Sequence, residues 1–202
     1  MESKRTQDER SRTTRTALVA AARRLYADRP YAEVGTGEIV AAAGVTRGAL
    51  YHQFGSKVEL FAAVLEDAEQ QVTDSIGAVM AGAADAGPLE LLVVGAQAWL
   101  DASAAPDVQR IVLLDGPAVL GWERWREVGH RHGLGLTIAG LQAAVDAGAI
   151  GAQPVLPLAH VLVGALDEAA LYVARAPSPD TARAEVASAL RALVEGLARP
   201  AG

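Results

Sequence analysis

The sequence predicts an all-α protein, and three observations carry that prediction. Apolar residues recur at three- and four-residue spacing along most of the chain. Helix-capping residues and prolines stand at the breaks between those runs. No stretch alternates apolar and polar residues as a half-buried strand does. A chain of 202 residues with 51% hydrophobic content has material for one or two domains and a substantial core.

Taken in order, residues 1–12 are polar and charged and are expected to form a disordered tail. From Thr13 or Thr14 the pattern is helical, with Leu18, Ala21, Ala22 and Leu25 on one side, and it stops before Pro30. Gly35 to Ala43 places Ile39, Val40 and Ala43 together, with Thr36 as N-cap or first-turn residue. Gly44 follows where a C-cap glycine belongs, and Thr46 caps a new helix from Arg47 to about Gln53. Gly55-Ser56 breaks that helix, and Ser56 caps a long one from Lys57 to about Ala83.

Pro88 opens a helix to about Ser103 and Pro106 opens another, each at the favoured first-turn position. The stretch DGPAVLGWERWREVGHRHG, Asp115 to Gly133, links these to a helix from Leu134 to Ala147. Two long helices, about Pro154–Ala176 and Pro179–Ala198, close the chain around Pro177-Ser178-Pro179.

Composition removes several function classes. Without cysteine there is no disulfide, Cys-ligated zinc or thiol chemistry, which fits a reducing cytoplasm. The charged first fifteen residues are no signal peptide. The longest apolar stretch, Leu89 to Leu100, is about twelve residues and too short to span a bilayer, so no membrane is expected. The net charge of −6 is unevenly spread. Residues 1–60 hold ten Lys/Arg and seven Asp/Glu, or +3; residues 61–202 hold eight and seventeen, or −9. A basic module on an acidic body follows.

Residues 44–57, GVTRGALYHQFGSK, carry the sharpest signal. A tight turn between two short helices is a helix-turn-helix. Leu50 and Phe54 lie four apart on one face, closed by Val45 from the turn. The opposite face holds Thr46, Arg47, Gly48, Tyr51 and His52. Arg47 offers a fork for guanine or phosphate, Gly48 allows close backbone approach, and Thr46, Tyr51 and His52 suit phosphate or base-edge hydrogen bonds. Lys57, with the free N–H groups of its helix end, can hold one phosphate.

The stretch Ile39 to Glu66, IVAAAGVTRGALYHQFGSKVELFAAVLE, resembles the DNA-binding signature of the TetR family of bacterial transcriptional regulators, over about residues 13–65. The resemblance implies a three-helix DNA-binding domain (13–56) and a larger helical ligand-binding and dimerisation domain (57–202). It also implies DNA contacts from Thr46, Arg47, Gly48, Tyr51 and His52, and backbone contacts from Lys57 and Thr36. Two positions depart from the family pattern: Gly37, where a charged or polar residue is frequent, and Gln53, where a histidine is.

A recognition helix this short implies a homodimer on a palindromic double-stranded DNA operator. The last two helices, resembling the family's dimeric bundle, are the expected interface: Leu158, Val161, Leu162, Ala165, Ala169, Tyr172 and Val173 on the first, and Val186, Ala189, Leu190, Leu193, Val194 and Leu197 on the second. The function expected is that of a repressor released by an unknown small-molecule effector, the alternative being an activator or an effector-independent regulator.

For the effector, Trp99, Trp122 and Trp125 gather three of nine aromatics, with Arg110 and Asp115 nearby as polar partners. His130 and His132, two apart, cannot share a metal on a regular helix, so no metal site is expected. His160, in an apolar helix, is expected as an interior histidine. No catalytic constellation and no phosphate-binding glycine loop is present, so neither an enzyme nor a cofactor is expected.

Overall fold

The computed structural model describes residues 2–198, with side chains from Gln7 onward. Eleven α-helical segments follow one another among the described residues. They are α1 (Glu2–Asp28), α2 (Thr36–Ala43), α3 (Arg47–Phe54), α4 (Lys57–Gly82), α5 (Pro88–Ser103), α6 (Pro106–Val108), α7 (Gly116–Leu120), α8 (Trp122–Gly129), α9 (Gly135–Asp146), α10 (Val155–Arg175) and α11 (Pro179–Glu195). A 3₁₀ turn, Tyr31–Glu33, precedes α2, and wide π turns, Gln109–Asp115 and His130–Leu134, follow α6 and α8. The one β contact among the described residues is an isolated bridge between Ile150 and Ala198.

The chain forms two compact units. The first takes the residues up to Ala68 together with Pro106–Trp125; the second takes Glu69–Ala105 and the residues from Arg126 on. The physical reason is visible inside the first unit. Ile111, Val112 and Leu113 are fully buried, and Arg23 of α1 bridges Asp67 and Asp107 at 2.9 and 2.7 Å. The Tyr31 N–H donates to Asp115 Oδ2 at 2.9 Å. Residues 106–125 thus supply core and counter-charge to α1, which no local pattern announces.

Helix α1 starts at Glu2, so residues expected as a disordered tail form its first turns. No glycine or proline precedes Pro30, and the Thr13 hydroxyl bonds back to the Glu9 carbonyl at 2.9 Å. Nothing in the sequence therefore stops the helix from extending towards the start of the chain. The core of this unit joins Leu18, Ala22, Ile39, Leu50 and Leu65 to an aromatic trio. Tyr26, Tyr31 and Phe61 have ring centroids 5.2–5.7 Å apart.

The second unit packs α5, α9, α10 and α11. Leu92, Val93, Leu141, Ala144, Ile150, Ala159, Leu162 and Val194 form its main core, and Ala96, Leu100 and Leu190 a second cluster. Close packing explains Gly140: a Cβ there would stand 2.8 Å from Leu92 Cδ2. Helix α10 is, by length and composition alone, long and apolar enough to cross a membrane. Counting uninterrupted apolar residues missed it, since His160, Asp167 and Glu168 break the run. It is built into the unit by Ala159, Leu162 and Ala170.

Candidate nucleic-acid interface

The turn between α2 and α3 is fixed by one glycine and one threonine. Gly44 adopts φ 66°, ψ 29°, a left-handed conformation that side chains other than glycine rarely take. The Val45 N–H then reaches the Val40 carbonyl at 3.0 Å, closing the end of α2. Thr46 is extended, and its Oγ1 accepts the Ala49 N–H at 3.2 Å, opening α3. Gly55 ends α3 at φ 75°. Ser56 Oγ accepts the Glu59 N–H at 3.1 Å to cap α4.

Those caps sort α3 into two faces. Leu50 and Phe54 are buried, and the Arg15 guanidinium lies 4.5 Å over the Phe54 ring. Gln53 Nε2 donates to Ser11 Oγ at 2.8 Å, which gives that position a role in holding α3 to α1. Thr46, Arg47, Gly48, Tyr51 and His52 are all exposed. Arg47 lies 5.8 Å from the Tyr51 ring centroid. Hydrogen bonds from Arg47, and next from Thr36, hold the Tyr51 phenol below its ordinary pKa. Thr36, in the first turn of α2, therefore joins the same polar row.

Lys57 is half-buried at the start of α4. Its Nζ donates to the Tyr31 carbonyl at 2.5 Å and lies 3.8 Å from the Tyr31 ring centroid. Burial lowers its pKa, and the nearby Asp115 carboxylate opposes that shift. An ammonium has three donors, so one bond to a carbonyl leaves capacity for a phosphate.

The five residues expected to line an effector site are each described within their own unit. Trp125 is buried, donates Nε1–H to the Val112 carbonyl at 2.8 Å and packs over Gly116. Trp122 stacks at 5.0 Å beside it but is 64% exposed. Asp115 is occupied by the Tyr31 amide, and the Nε of Arg110 is buried without a partner. These four belong to the first unit, whereas Trp99 belongs to the second, donating to the Leu166 carbonyl at 3.1 Å.

The second unit holds a polar group that the sequence reading passed over. Arg126 ion-pairs with Asp167. Glu69 is only 6% exposed, and burial, with Asp167 as a lesser cause, raises its carboxyl to about 7. Asp167 is raised to about 6 by burial, which Arg126 opposes. His130 stands edge-on to His160 at 4.7 Å; His160 is exposed rather than interior. The signal for Glu69 was present. It occupies the i+4 position after Leu65 on a stripe that Ala68 and Val72 continue, where an apolar residue is expected.

A capped helix-turn-helix with a polar outer row, on a chain whose remainder is helical, defines a class: the DNA-binding transcriptional regulators. Residues 18–64 match the family model for bacterial regulatory proteins of the tetR family, and residues 89–197 match that of the tetracyclin repressor-like C-terminal domain. The chain belongs to the TetR family of transcriptional regulators, a family of regulators and not of enzymes. A TetR-family regulator from Pectobacterium atrosepticum is 30% identical at TM-score 0.80, with 94% of this chain and 96% of that one covered. RolR in complex with resorcinol shares the fold at TM-score 0.74 and 21% identity, covering 96% and 97%. The HTH-type transcriptional regulator CymR of Pseudomonas putida is 39% identical over 71 residues; the match spans 35% of that relative's length and 35% of this chain.

Proposed function

We propose that the protein is a cytoplasmic, ligand-responsive repressor that binds a palindromic operator as a homodimer and leaves it when a small-molecule effector binds. The observation that carries this is the exposed row on α3, separated from the buried Leu50 and Phe54 by caps at both helix ends. Arg47 and Tyr51 take base edges in the major groove, and Gly48 lets the backbone come close. Thr36, Thr46, His52 and Lys57 take phosphates and set the register.

Dimerisation through α10 and α11 is supported by what those helices leave uncovered. Val161 is 67% exposed, Tyr172 55% and Leu193 47%. Val161, Ala165 and Tyr172 fall on one stripe of α10, and Ala189 and Leu193 on one of α11. An apolar stripe of this kind marks a protein partner, and a second copy satisfies the two-fold geometry of a palindrome.

The effector reading draws support from RolR, whose structure with resorcinol has the same fold. Helix α4 is the element through which effector and operator communicate. It begins at Lys57 and continues into the second unit from Glu69. Coupling of about 1–3 kcal/mol gives roughly 5- to 150-fold weaker operator binding.

Fluorescence anisotropy with duplexes from the DNA flanking the protein's own gene tests the reading. Sequence-specific binding at physiological salt, with two protomers per site, is expected. Binding that shows no sequence preference, both there and in a random-site selection, overturns it.

A further inference from the structure

The 3₁₀ turn after α1 leaves the backbone of one residue for use elsewhere. Pro30 precedes it, and the turn closes with the Glu33 N–H on the Pro30 carbonyl at 3.0 Å. The Tyr31 N–H and carbonyl lie outside that bond and need partners of their own. Asp115 supplies one, its Oδ2 accepting the Tyr31 N–H at 2.9 Å. The Tyr31 ring is held as well, edge-on to Phe61 at 5.2 Å and tilted against Tyr26 at 5.7 Å. Tyr26 and Phe61 are both fully buried. Backbone and ring of Tyr31 are therefore anchored in the first unit from two directions.

The remaining groups of Tyr31 serve Lys57. Its carbonyl accepts from Lys57 Nζ at 2.5 Å, and its ring centroid lies 3.8 Å from the same nitrogen. A carbonyl oxygen and an aromatic ring both attract an ammonium, and neither cancels its charge as a carboxylate does. Two arginines of the same unit differ in this respect: Arg29 is ion-paired with Glu38, and Arg124 with Glu59. Lys57 forms no ion pair among the described residues. A free lysine also gives up rotamer freedom when it settles on a phosphate, which weakens the contact. Lys57 has given up that freedom on folding.

We propose that Tyr31 is a positioning residue for DNA binding: its carbonyl and ring hold the Lys57 ammonium, charged and with donors left over, where a phosphate of the duplex docks. Asp115 belongs to the same platform, because it fixes the Tyr31 amide. The platform rests on the reading of Lys57 as a phosphate contact.

The test is the salt dependence of duplex binding, read by fluorescence anisotropy on the full chain. Wild type is compared with Lys57→Ala, Tyr31→Leu, Tyr31→Phe and the double variant of Tyr31→Leu with Lys57→Ala. Tyr31→Leu keeps the net charge, so a weakened fold alone does not alter the slope of log affinity against log salt. Tyr31→Leu is expected to lower that slope by about 0.9, the value for one phosphate, and to weaken binding about fivefold or more. The double variant is expected to bind no more weakly than Lys57→Ala alone. Tyr31→Phe, which keeps the ring and the carbonyl, is expected to retain the slope and affinity of the wild type. A wild-type slope in Tyr31→Leu, losses that add in the double variant, or a Tyr31→Phe that behaves as Tyr31→Leu overturns the platform. Thermal melts report whether Tyr31→Leu is folded; if it is not, Tyr31→Met takes its place, with the same outcomes. An unchanged slope in Lys57→Ala removes the phosphate contact and the platform together, whereas a slope lowered in Lys57→Ala but not in Tyr31→Leu removes the platform alone. The same slopes are read on a duplex of unrelated sequence, so a protein without an operator loses the regulator reading and keeps the platform.

Discussion

The Asp115 carboxylate accepts the Tyr31 backbone N–H at 2.9 Å. It ties the end of the π turn after α6 to the turn after α1, two stretches 84 residues apart in sequence. Removing the acceptor leaves the Tyr31 amide without its partner in a half-buried place. Asp115→Ala is expected to cost about 1–3 kcal/mol, and Asp115→Asn, which keeps an acceptor oxygen, less. Urea unfolding of the two variants measures this; equal losses would show that the charge, and not the hydrogen bond, matters.

Stability should depend on pH through the buried carboxyls. Glu69 keeps its proton to about 7 in the folded chain against 4.5 in the reference state, and Asp167 to about 6 against 3.8. Folded values raised in this way give stability that is fully present below the unfolded pKa and lost as pH climbs through the folded one. Between pH 4.5 and 7 the Glu69 contribution falls by on the order of 3 kcal/mol. Chemical denaturation across that window should show the decline in the wild type and a flatter profile in Glu69→Gln.

Two glycines of the helix-turn-helix should respond in opposite directions. Gly44 has φ 66°, so Gly44→Ala is expected to cost about 1–2 kcal/mol. Gly37 lies in α2 with ordinary helical φ and nothing within 4 Å of an added Cβ. Gly37→Ala is expected to stabilise by up to about 1 kcal/mol. Melting temperatures of the pair report both signs.

On DNA, Arg47→Ala should weaken operator binding by about 1–3 kcal/mol and relax preference at the base it reads. Lys57→Ala should weaken binding to every sequence and lower the salt slope by about one charge. Because Lys57 also bonds the Tyr31 carbonyl, its variant should melt lower as well. The salt slope separates the two effects: an unchanged slope with a lower melting temperature would confine Lys57 to the fold.

For assembly, Val161→Glu with Tyr172→Glu should convert a dimer into monomers in sedimentation equilibrium, since each places a charge on the exposed α10 stripe. Cooperative melting should be retained, both side chains being more than half exposed.

Local signals carried most of this fold. Caps at Thr46 and Ser56, the left-handed Gly44 and the Leu50/Phe54 spacing are decided within a few residues, so the helix-turn-helix was legible. The start of α1 was not, because polar composition reads as tail even where nothing breaks a helix. The packing of residues 106–125 into the first unit depends on Arg23, Asp107, Tyr31 and Asp115 meeting across long separations, which periodicity does not encode. The environment of the tryptophans was illegible for a related reason. Clustering in sequence says that Trp122 and Trp125 are neighbours, but not that the Trp125 indole is already committed to the Val112 carbonyl. Glu69 was missed because a single acid in an apolar stripe looks like an imperfect stripe.

The division of α3 into a buried pair and an exposed row has a practical reach. None of Thr46, Arg47, Gly48, Tyr51 and His52 is buried in the core that Leu50 and Phe54 anchor, and of the five only Thr46 has a capping duty. The other four form a cassette that can be rewritten with little penalty in folding. On the reading proposed above, a designer wanting this regulator to prefer a different DNA sequence would start there, leaving the second unit untouched.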